Sequence, residues 1–470
     1  MNSLEISIDQ FRRIAERMTQ LAAEYLEELD RKPISPQTTG EDSLRAFNTP
    51  LPEQGIAEDA FNDLPAVIDS SRAQNGRFFG YVLGSGEPVA ATADLLASVL
   101  NQNVTAWRSG PAAVMIEKTV VGWLAQAIGC ADFHGYLTGG GSSANLMGLT
   151  LARETIAPAN EEGIRRHLVV YASEEIHMSI PKSVALLGIG RHNMRLIPTD
   201  ASLRMDVTAL ESQMQQDKEA GRTPLAVVAS AGTVKTGAID PLTQIANLAH
   251  QHGAWFHIDG AYGALAAIAE SKKFAGMNLA DSISLDPHKW LYQPLDCGCL
   301  LYRDPQAGQT TFSHSGDYAR TLSADPIEGF AFFEESLELS RRFRALKLWL
   351  SLRYHGMGAF RDSIKKDLRQ AQKLVDAIQK EPALEVVAAG ELSAVCFRYR
   401  GEPGMSEEEL NRLNLEVLTR IVKRGRVYLS NASIDGKFCL RACIVNHRTT
   451  DTDVDSVIPE VLAVAKEIGD

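Results

Sequence analysis

AWFHIDGAYG, at residues 254–263, is a short apolar run that ends at a carboxylate followed by glycine and alanine. In a strand, alternation places Trp255, His257 and Asp259 on one face and Phe256 and Ile258 on the other. A run that is apolar on both faces is typical of a strand buried inside a parallel sheet. Asp259 would then close the strand at its carboxyl end, where open α/β sheets bind their ligands.

Similar runs recur along the chain and alternate with helical segments from about residue 110. This pattern predicts the α/β class, with a mainly parallel central sheet covered by helices on both faces. One intervening helix is expected to have Asp240 as its N-cap, Pro241 at its first position and Gly253 just after its end. The predicted strands are residues 135–137, 167–172, 225–230, 254–259, 282–285 and 298–302.

The length of 470 residues predicts more than one domain. We expect a helical N-terminal segment at 1–80, a large ligand-binding domain at 81–364 and a small α+β C-terminal domain at 365–470. Residues 8–31 have the spacing of one amphipathic helix, which could pack on a partner subunit. The basic run of Arg341, Arg342, Arg344 and Lys347 is interpreted as a solvated helix face without a catalytic role.

Composition excludes several classes of function. The formal net charge of −12 argues against nucleic-acid binding, which needs a clustered positive surface, and gives no reason to expect membrane binding. No apolar run approaches the length of a membrane span, and the N-terminus carries charges rather than an apolar leader. The six cysteines form no CxxC pair, so we expect reduced thiols, no metal site and a cytoplasmic protein.

LTGGGSSANLMGL, at residues 137–149, joins the end of a strand to the start of a helix through glycines and serines. Glycines let backbone amides approach an anion, and a helix N-terminus offers free N–H groups, so the segment predicts a phosphate cradle. Gly139, Gly141 and Ala144 also fit the dinucleotide fingerprint of a nicotinamide dehydrogenase. That fingerprint needs an acidic residue about 20 positions on, whereas the next strand ends near Glu174.

SLDPHKW, at residues 284–290, places Lys289 at the end of the strand that follows Asp259. Parallel neighbours end at the same edge, so Lys289, Asp259 and the Gly-Ser loop would surround one ligand. An amine, a carboxylate and a phosphate cradle together fit pyridoxal phosphate, which has an aldehyde, a basic ring nitrogen and a phosphate. A carboxylate about 4 Å from that nitrogen contributes roughly 4 kcal/mol at an effective dielectric near 20, enough to keep the ring protonated.

The motifs DPHKWL and FHIDGAYG, supported by GGGSSANLMGL and ASAGTVKTGAIDP, resemble those of the group II pyridoxal-phosphate-dependent amino-acid decarboxylases. The resemblance extends from about residue 77 to residue 450 and implies the fold-type-I architecture and a homodimer with the active site at the interface. It implies that Lys289 attaches the cofactor, that Asp259 pairs with the ring nitrogen and that His177 stacks on the ring. Further implied cofactor contacts are Gly141, Ser142, Thr233, Ala261 and His288.

The same resemblance implies residues that act on the substrate. Tyr318, in the polar loop 312–329, falls where the family has a catalytic tyrosine that returns a proton to the substrate carbon. Arg441 lies on the less apolar face of the predicted strand KFCLRACIV, where an arginine could fork onto a substrate carboxylate. Tyr81 and Trp107 are assigned to the substrate pocket.

These observations favour α-decarboxylation of a small-molecule L-amino acid to the amine and carbon dioxide, with an aromatic-type substrate preferred. Val82, Leu83 and Gly84 replace the bulkier residues of the aromatic-specific members, so acidic, basic and small substrates stay open. A decarboxylating aldehyde synthase or a carbon–carbon lyase would use the same cofactor. A nicotinamide dehydrogenase explains neither Asp259 nor Lys289.

Overall fold

The N-terminal segment is helical in this computed structural model, which describes residues 4–314 and 325–469. It contains α1 (Ile8–Glu28), α2 (Gly40–Phe47) and α3 (Leu64–Asp69). Helix α1 begins with a capping box between Ser7 and Gln10, which satisfies free N–H groups of the first turn. No residue of these three helices is buried, so the helices lie on the surface of the described subunit.

Seven strands form the central sheet, in the order β1-β7-β6-β5-β4-β2-β3. They are β1 (His134–Thr138), β2 (Leu168–Ser173), β3 (Met194–Ile197), β4 (Thr223–Ser230), β5 (Trp255–Asp259), β6 (Ser282–Leu285) and β7 (Gly298–Tyr302). Strands β2 to β6 are parallel, and β7 runs antiparallel to both β1 and β6. The predicted α/β class with a mainly parallel sheet is confirmed, and all six predicted strands exist.

The helices around the sheet bury its two faces. They are α4 (Pro88–Leu100), α5 (Pro111–Ala127), α6 (Gly141–Ile156), α7 (Ser179–Leu186), α8 (Val207–Glu219), α9 (Leu242–Gln251), α10 (Ala267–Glu270), α11 (Pro287–Trp290), α12 (Pro305–Phe312) and α13 (Ala345–Lys380). Strand β3 was not predicted, because it is a four-residue edge strand in which only Ile197 is buried. No helix in the described ranges combines the length and apolarity needed to cross a membrane.

The predicted N-cap at Asp240 is wrong. Helix α9 starts at Leu242, and the Asp240 carboxylate accepts the backbone N–H groups of Met205 and Ser230, each at 2.7 Å. Burial raises the pKa of Asp240 to about 6. The carboxylate therefore joins the end of β4 to a neighbouring loop, a long-range role that the local pattern of a cap does not reveal.

The predicted solvated face of the basic run is also wrong. Arg341, Arg344 and Lys347 are buried, and only Arg342 has an exposed side chain. Arg341 pairs with the buried carboxylate of Glu117 and donates to two backbone carbonyls. Because α13 begins only at Ala345, the first three of these basic residues are not on a helix face at all but on the segment leading into it.

The C-terminal domain is a small α+β unit, as predicted. Its antiparallel sheet has the order β10-β11-β9-β8, formed by β8 (Leu384–Ala389), β9 (Ala394–Tyr399), β10 (Ser430–Ile434) and β11 (Lys437–Cys443). Three helices accompany it: α14 (Glu407–Arg424), α15 (Asp451–Asp455) and α16 (Val457–Gly469). Helix α13 breaks at Gly356, where φ is 76°, and continues across the predicted boundary at 364. Phe79 packs into the core of this domain.

Candidate active site

The carboxyl ends of β1, β2, β4, β5 and β6 meet at one edge of the sheet, around a cavity of about 490 Å³. Residues from the loops that follow all five strands line it. Eight residues predicted as cofactor contacts are among them: Gly141, Ser142, His177, Thr233, Asp259, Ala261, His288 and Lys289. Residues far apart in the sequence are therefore brought to one site by the parallel order of the strands.

Lys289 lies on the single turn of helix α11, directly after β6. Pro287 starts this turn, and Trp290 is fully buried and stacks on Tyr262 with ring centroids 5.9 Å apart. The Lys289 Nζ atom is 3.0 Å from Oδ2 of the buried Asp286. The buried tryptophan thus fixes the turn, and the lysine amine faces the cavity rather than solvent.

Asp259 is buried at the end of β5, opposite Ser230 of β4 and Ser284 of β6. Its Oδ1 atom accepts hydrogen bonds from the Ser284 hydroxyl and the Ala261 backbone N–H, both at 3.3 Å. These two bonds orient the carboxylate at the cavity edge. The arrangement suits a carboxylate that pairs with a protonated ring nitrogen.

The glycine loop after β1 leaves no room for a side chain at Gly141. A Cβ atom on Gly141 would lie 2.5 Å from the Ala261 Cβ and 3.0 Å from the Asp286 Oδ2. Gly140 has φ of 143°, a conformation that favours glycine, and its neighbour Gly141 opens the 16-residue helix α6. Backbone N–H groups at the start of this helix are available to an anion.

His288 lies beside this loop. A Cβ on Gly140 would be 3.5 Å from its Cε1 atom. The His288 Nδ1 atom accepts the backbone N–H of Cys297 at 3.3 Å, so the ring carries its proton on Nε2, 3.5 Å from the Asp286 Oδ2. Burial lowers the pKa of His288. The neutral ring can therefore donate a hydrogen bond from Nε2 to an anion at the loop.

His177 lies in the loop between β2 and helix α7, two residues before the helix begins. Its Nδ1 atom is 2.8 Å from the Ser179 hydroxyl. Burial lowers the pKa of His177, although the Asp259 carboxylate acts in the opposite direction. Thr233, also in the cavity wall, uses its hydroxyl to close its own turn through contacts with Thr236 and with the Ala238 backbone N–H.

The residues of the cavity fit pyridoxal phosphate. The site has an amine after β6, a carboxylate at the end of the neighbouring strand β5, and a glycine loop with no room for a Cβ at Gly141. The buried Asp286 Oδ1 atom has no hydrogen-bond partner among the described residues, which marks a polar position left for a ligand. Lys289, Asp259 and His177 would hold the aldehyde and ring, while Gly141, Ser142 and His288 would hold the phosphate.

The predicted substrate residues lie elsewhere. Arg441 is buried outside the cavity wall, and its guanidinium donates to the backbone carbonyls of Lys235, Tyr81 and Val234. Tyr81 is exposed and hydrogen-bonds Tyr428 through its hydroxyl at 2.9 Å. Trp107 also does not line the cavity. Their substrate roles stay predictions, and Tyr318 lies outside the described residues.

The sequence reasoning assigned no role to several cavity residues with polar side chains, which are Asn145, Ser230, Tyr262 and Asp286. Asn145 lies four residues after Gly141 on α6, so helical spacing places it on the same face as the cradle. That signal was present in the motif GGGSSAN. Ser230 ends β4 opposite Asp259, and only the strand register reveals this.

Comparisons with known proteins agree with this geometry. Residues 37–400 match the family model of the pyridoxal-dependent decarboxylase conserved domain. An aromatic-L-amino-acid decarboxylase of Bacillus atrophaeus is 35% identical, and the alignment covers 99% of this chain and 98% of that protein. A phenylacetaldehyde synthase of Petunia hybrida is 30% identical over 93% of this chain and 90% of its own length. The crystal structure of Oryza sativa TDC with PLP and tryptamine superposes with a TM-score of 0.92 at 27% identity, covering 100% and 99% of the two chains.

The glycine cradle gives a first prediction. Gly141→Ala should weaken binding of pyridoxal phosphate at least about tenfold, because the added Cβ meets Ala261 and Asp286 and overpacking costs roughly 1–3 kcal/mol. The measurement is a titration of the cofactor-free protein, followed by absorbance. Gly122→Ala is the matched control, since Gly122 lies in α5 with open space around its Cβ position. Equal affinity in the two variants would contradict the assignment of the cradle.

Proposed function

Because the chain belongs to the pyridoxal-dependent decarboxylase family, we propose that it removes the α-carboxylate of an aromatic L-amino acid, releasing carbon dioxide and the amine. The observation that carries the proposal is the meeting of Lys289, Asp259, His177 and the Gly141 cradle around one cavity. The full-length similarity to an aromatic-L-amino-acid decarboxylase supports the reaction and the substrate class.

Pyridoxal phosphate, when bound, supplies an electron sink for the pair left by the broken bond between Cα and the carboxylate. Asp259 would keep a proton on the ring nitrogen, which requires that its own carboxylate stay ionised and fixed by Ser284 and Ala261. Lys289 would bind the aldehyde and yield it to the substrate amine. The Asp286 carboxylate, at 3.0 Å, can then hold the released lysine as an ammonium ion.

The reaction needs a dry site and a proton for the substrate carbon. Asp259, His288 and Thr233 are buried at the sheet edge, so this part of the cavity wall is shielded from bulk water. By resemblance to the family, we propose Tyr318 as the group that delivers the proton. His177 stacks on the ring in this proposal, with its Nδ1 side bound to Ser179.

We further propose that the enzyme works as a homodimer with the active site at the interface. Helix α1 has no buried residue, and α4 presents a strip of apolar side chains to solvent in the single subunit. Such contiguous apolar surface is typical of protein–protein contact. The exposed apolar residues are Ile8, Phe11, Met18 and Leu26 on α1 and Leu95, Leu96, Val99 and Leu100 on α4.

The dimer also gives roles to residues outside the cavity. Tyr81 is exposed and has φ of 59°, a strained conformation for a non-glycine residue that is typical of functional positions. We propose that Tyr81 and Trp107 contact the substrate bound at the partner subunit. Arg441 joins the carbonyl of Tyr81 to the loop of Val234, which lines the cavity. To bind the substrate carboxylate, as proposed, Arg441 must give up hydrogen bonds to these carbonyls and donate to the carboxylate instead.

The proposed reaction is tested with a panel of aromatic, acidic, basic and small L-amino acids, with amine, carbon dioxide, aldehyde and hydrogen peroxide measured together. We expect amine equal to carbon dioxide, with aromatic substrates preferred. Peroxide and aldehyde matching the carbon dioxide would instead indicate an aldehyde synthase, the activity named for the Petunia relative. Tyr318→Phe should shift the products toward aldehyde; an unchanged amine yield would exclude Tyr318 as the proton donor.

The dimer is tested by charge introduction on α4. Leu96→Glu should weaken association at least about tenfold and lower activity, because a charge buried in an apolar interface is costly. The measurement is sedimentation equilibrium together with turnover. Leu415→Glu is the control, since Leu415 is equally exposed but lies on α14 of the C-terminal domain. A monomeric wild-type enzyme with full activity would overturn the interface proposal.

A further inference from the structure

A chain of polar side chains runs beneath the cavity and ends at His177. It crosses four elements, because its members come from β5, β6, α6 and the start of α7. We refer to it as the polar relay. Its members, in spatial order, are Trp255, Ser282, His257, Asn145 and Ser179, all of them buried.

Each step of the polar relay is a hydrogen bond of ordinary length. The Trp255 Nε1 atom is 2.8 Å from the Ser282 hydroxyl, which is 2.7 Å from the His257 Nδ1 atom. The His257 Nε2 atom is 2.9 Å from the Asn145 Oδ1 atom. The Asn145 amide nitrogen is 3.0 Å from the Ser179 hydroxyl, which is 2.8 Å from the His177 Nδ1 atom.

The direction of the hydrogen bonds is set at the Trp255 end. An indole N–H can only donate, so the Ser282 oxygen accepts from it. The Ser282 hydroxyl is fully buried, and His257 Nδ1 is its one hydrogen-bond acceptor among the described residues. Donation to Nδ1 leaves the His257 proton on Nε2, where it meets the Asn145 carbonyl oxygen. The opposite direction would leave the Ser282 hydroxyl buried without an acceptor.

The same direction continues to the cavity. With its oxygen facing His257, the Asn145 side chain donates through its amide nitrogen to the Ser179 oxygen. The Ser179 hydroxyl then donates to His177 Nδ1. The backbone N–H of Ser179 also donates to this nitrogen, at 3.3 Å, and a backbone donor cannot be reversed. The two ends of the relay therefore require the same state of His177.

We propose that Ser179, Asn145 and His257 are positioning residues that hold His177 as a neutral ring with its proton on Nε2. Ser179 binds Nδ1, so the other ring nitrogen, Nε2, carries the proton. His177 then offers an N–H donor at Nε2 and not a basic nitrogen. The state of the ring follows from the relay alone. Its consequence for catalysis rests on the proposed function, in which His177 stacks on the cofactor.

Two further observations agree with a fixed relay. Burial lowers the pKa of His257 to about 4, so this ring is neutral, as one donating and one accepting nitrogen require. A Cβ on Gly148 would lie 2.6 Å from the His257 Cε1 atom, so α6 packs directly against the ring. The helix that begins at the glycine cradle thus also holds the relay in place.

The charges that face His177 come from the end of β5, from the segment after β6 and from helix α7, which begins two residues after His177. Asp259 at the end of β5 and Asp286 after β6 favour protonation, while Lys289 and Lys182 oppose it. The relay acts at a single nitrogen, whereas these charges act on the ring as a whole. A variant that alters the tautomer of His177 while leaving the nearby charges unchanged therefore acts through the relay.

The test is nitrogen NMR of the holoenzyme labelled with ¹⁵N-histidine, with His177 and His257 assigned from His177→Gln and His257→Gln. At neutral pH we expect both wild-type rings to show a protonated Nε2 and an unprotonated Nδ1. A wild-type His177 that is doubly protonated or protonated on Nδ1 would overturn the proposal. So would a His257 protonated on Nδ1, because the relay would then run in the opposite direction. These outcomes are read from the wild-type spectrum, and the two variants serve only to assign its signals.

Variants test the coupling along the relay. Asn145→Leu removes the donor to Ser179 at nearly constant volume, so the Ser179 oxygen can accept from His177. We expect a second tautomer of His177, beside the one that the Ser179 backbone N–H still favours, and a pKa of this ring raised by about half a unit or more. Since His177 is then protonated at higher pH, the acid limb of the kcat profile should move to higher pH by a similar amount.

The matched control is Ser183→Ala. Ser183 is buried on the same helix and donates to the Ser179 carbonyl at 2.8 Å, but lies outside the relay. We expect wild-type spectra from this variant and from Ser179→Thr, which keeps the hydroxyl. A His177 spectrum in Asn145→Leu that matches wild type would overturn the proposal. Intact relay spectra in an enzyme without decarboxylase activity would instead reject the proposed function alone.

Discussion

The site depends on the parallel register of β4, β5 and β6. Asp259 lies opposite Ser230 and Ser284, so the three strands end at the same level of the sheet. Lys289 follows β6 by a single short turn, which Trp290 fixes by burial. A shift of one residue in this register would turn Asp259 to the other face of the sheet and separate it from the lysine. The position of Asp259 relative to Lys289 is therefore set by the backbone hydrogen bonds between these strands.

Helix α6 has two roles in the same site. Its first residues form the glycine loop that would hold a phosphate. Further along the helix, Asn145 belongs to the polar relay and Gly148 packs against His257. The small residues of α6 are needed on both counts, because a Cβ on Gly141 or Gly148 would meet atoms of a neighbouring strand or loop. The proposed phosphate site and the proposed positioning of His177 thus share one helix.

The fold, and the meeting of the predicted cofactor residues around one cavity, could be predicted because their signals are local. Buried strands are continuous apolar runs. Residues at or just after their carboxyl ends, such as Asp259 and Lys289, lie at one edge of the sheet because the strands are parallel. The failures involve partners distant in sequence. Asp240 looks like a cap but bonds to Met205, and Arg341 looks solvated but pairs with Glu117, 224 positions away. Arg441 is engaged by carbonyls of Tyr81 and Val234, which no periodicity could show.

Covalent attachment of the cofactor to Lys289 tests the central claim most directly. The purified enzyme is reduced with borohydride, digested and mapped by mass spectrometry, with Lys182, which also faces His177, as an internal reference. The geometry predicts a coloured protein whose reduced label is found on the peptide that contains Lys289 and on no other lysine. A colourless protein that takes up no pyridoxal phosphate, or a label on a different lysine, would contradict it.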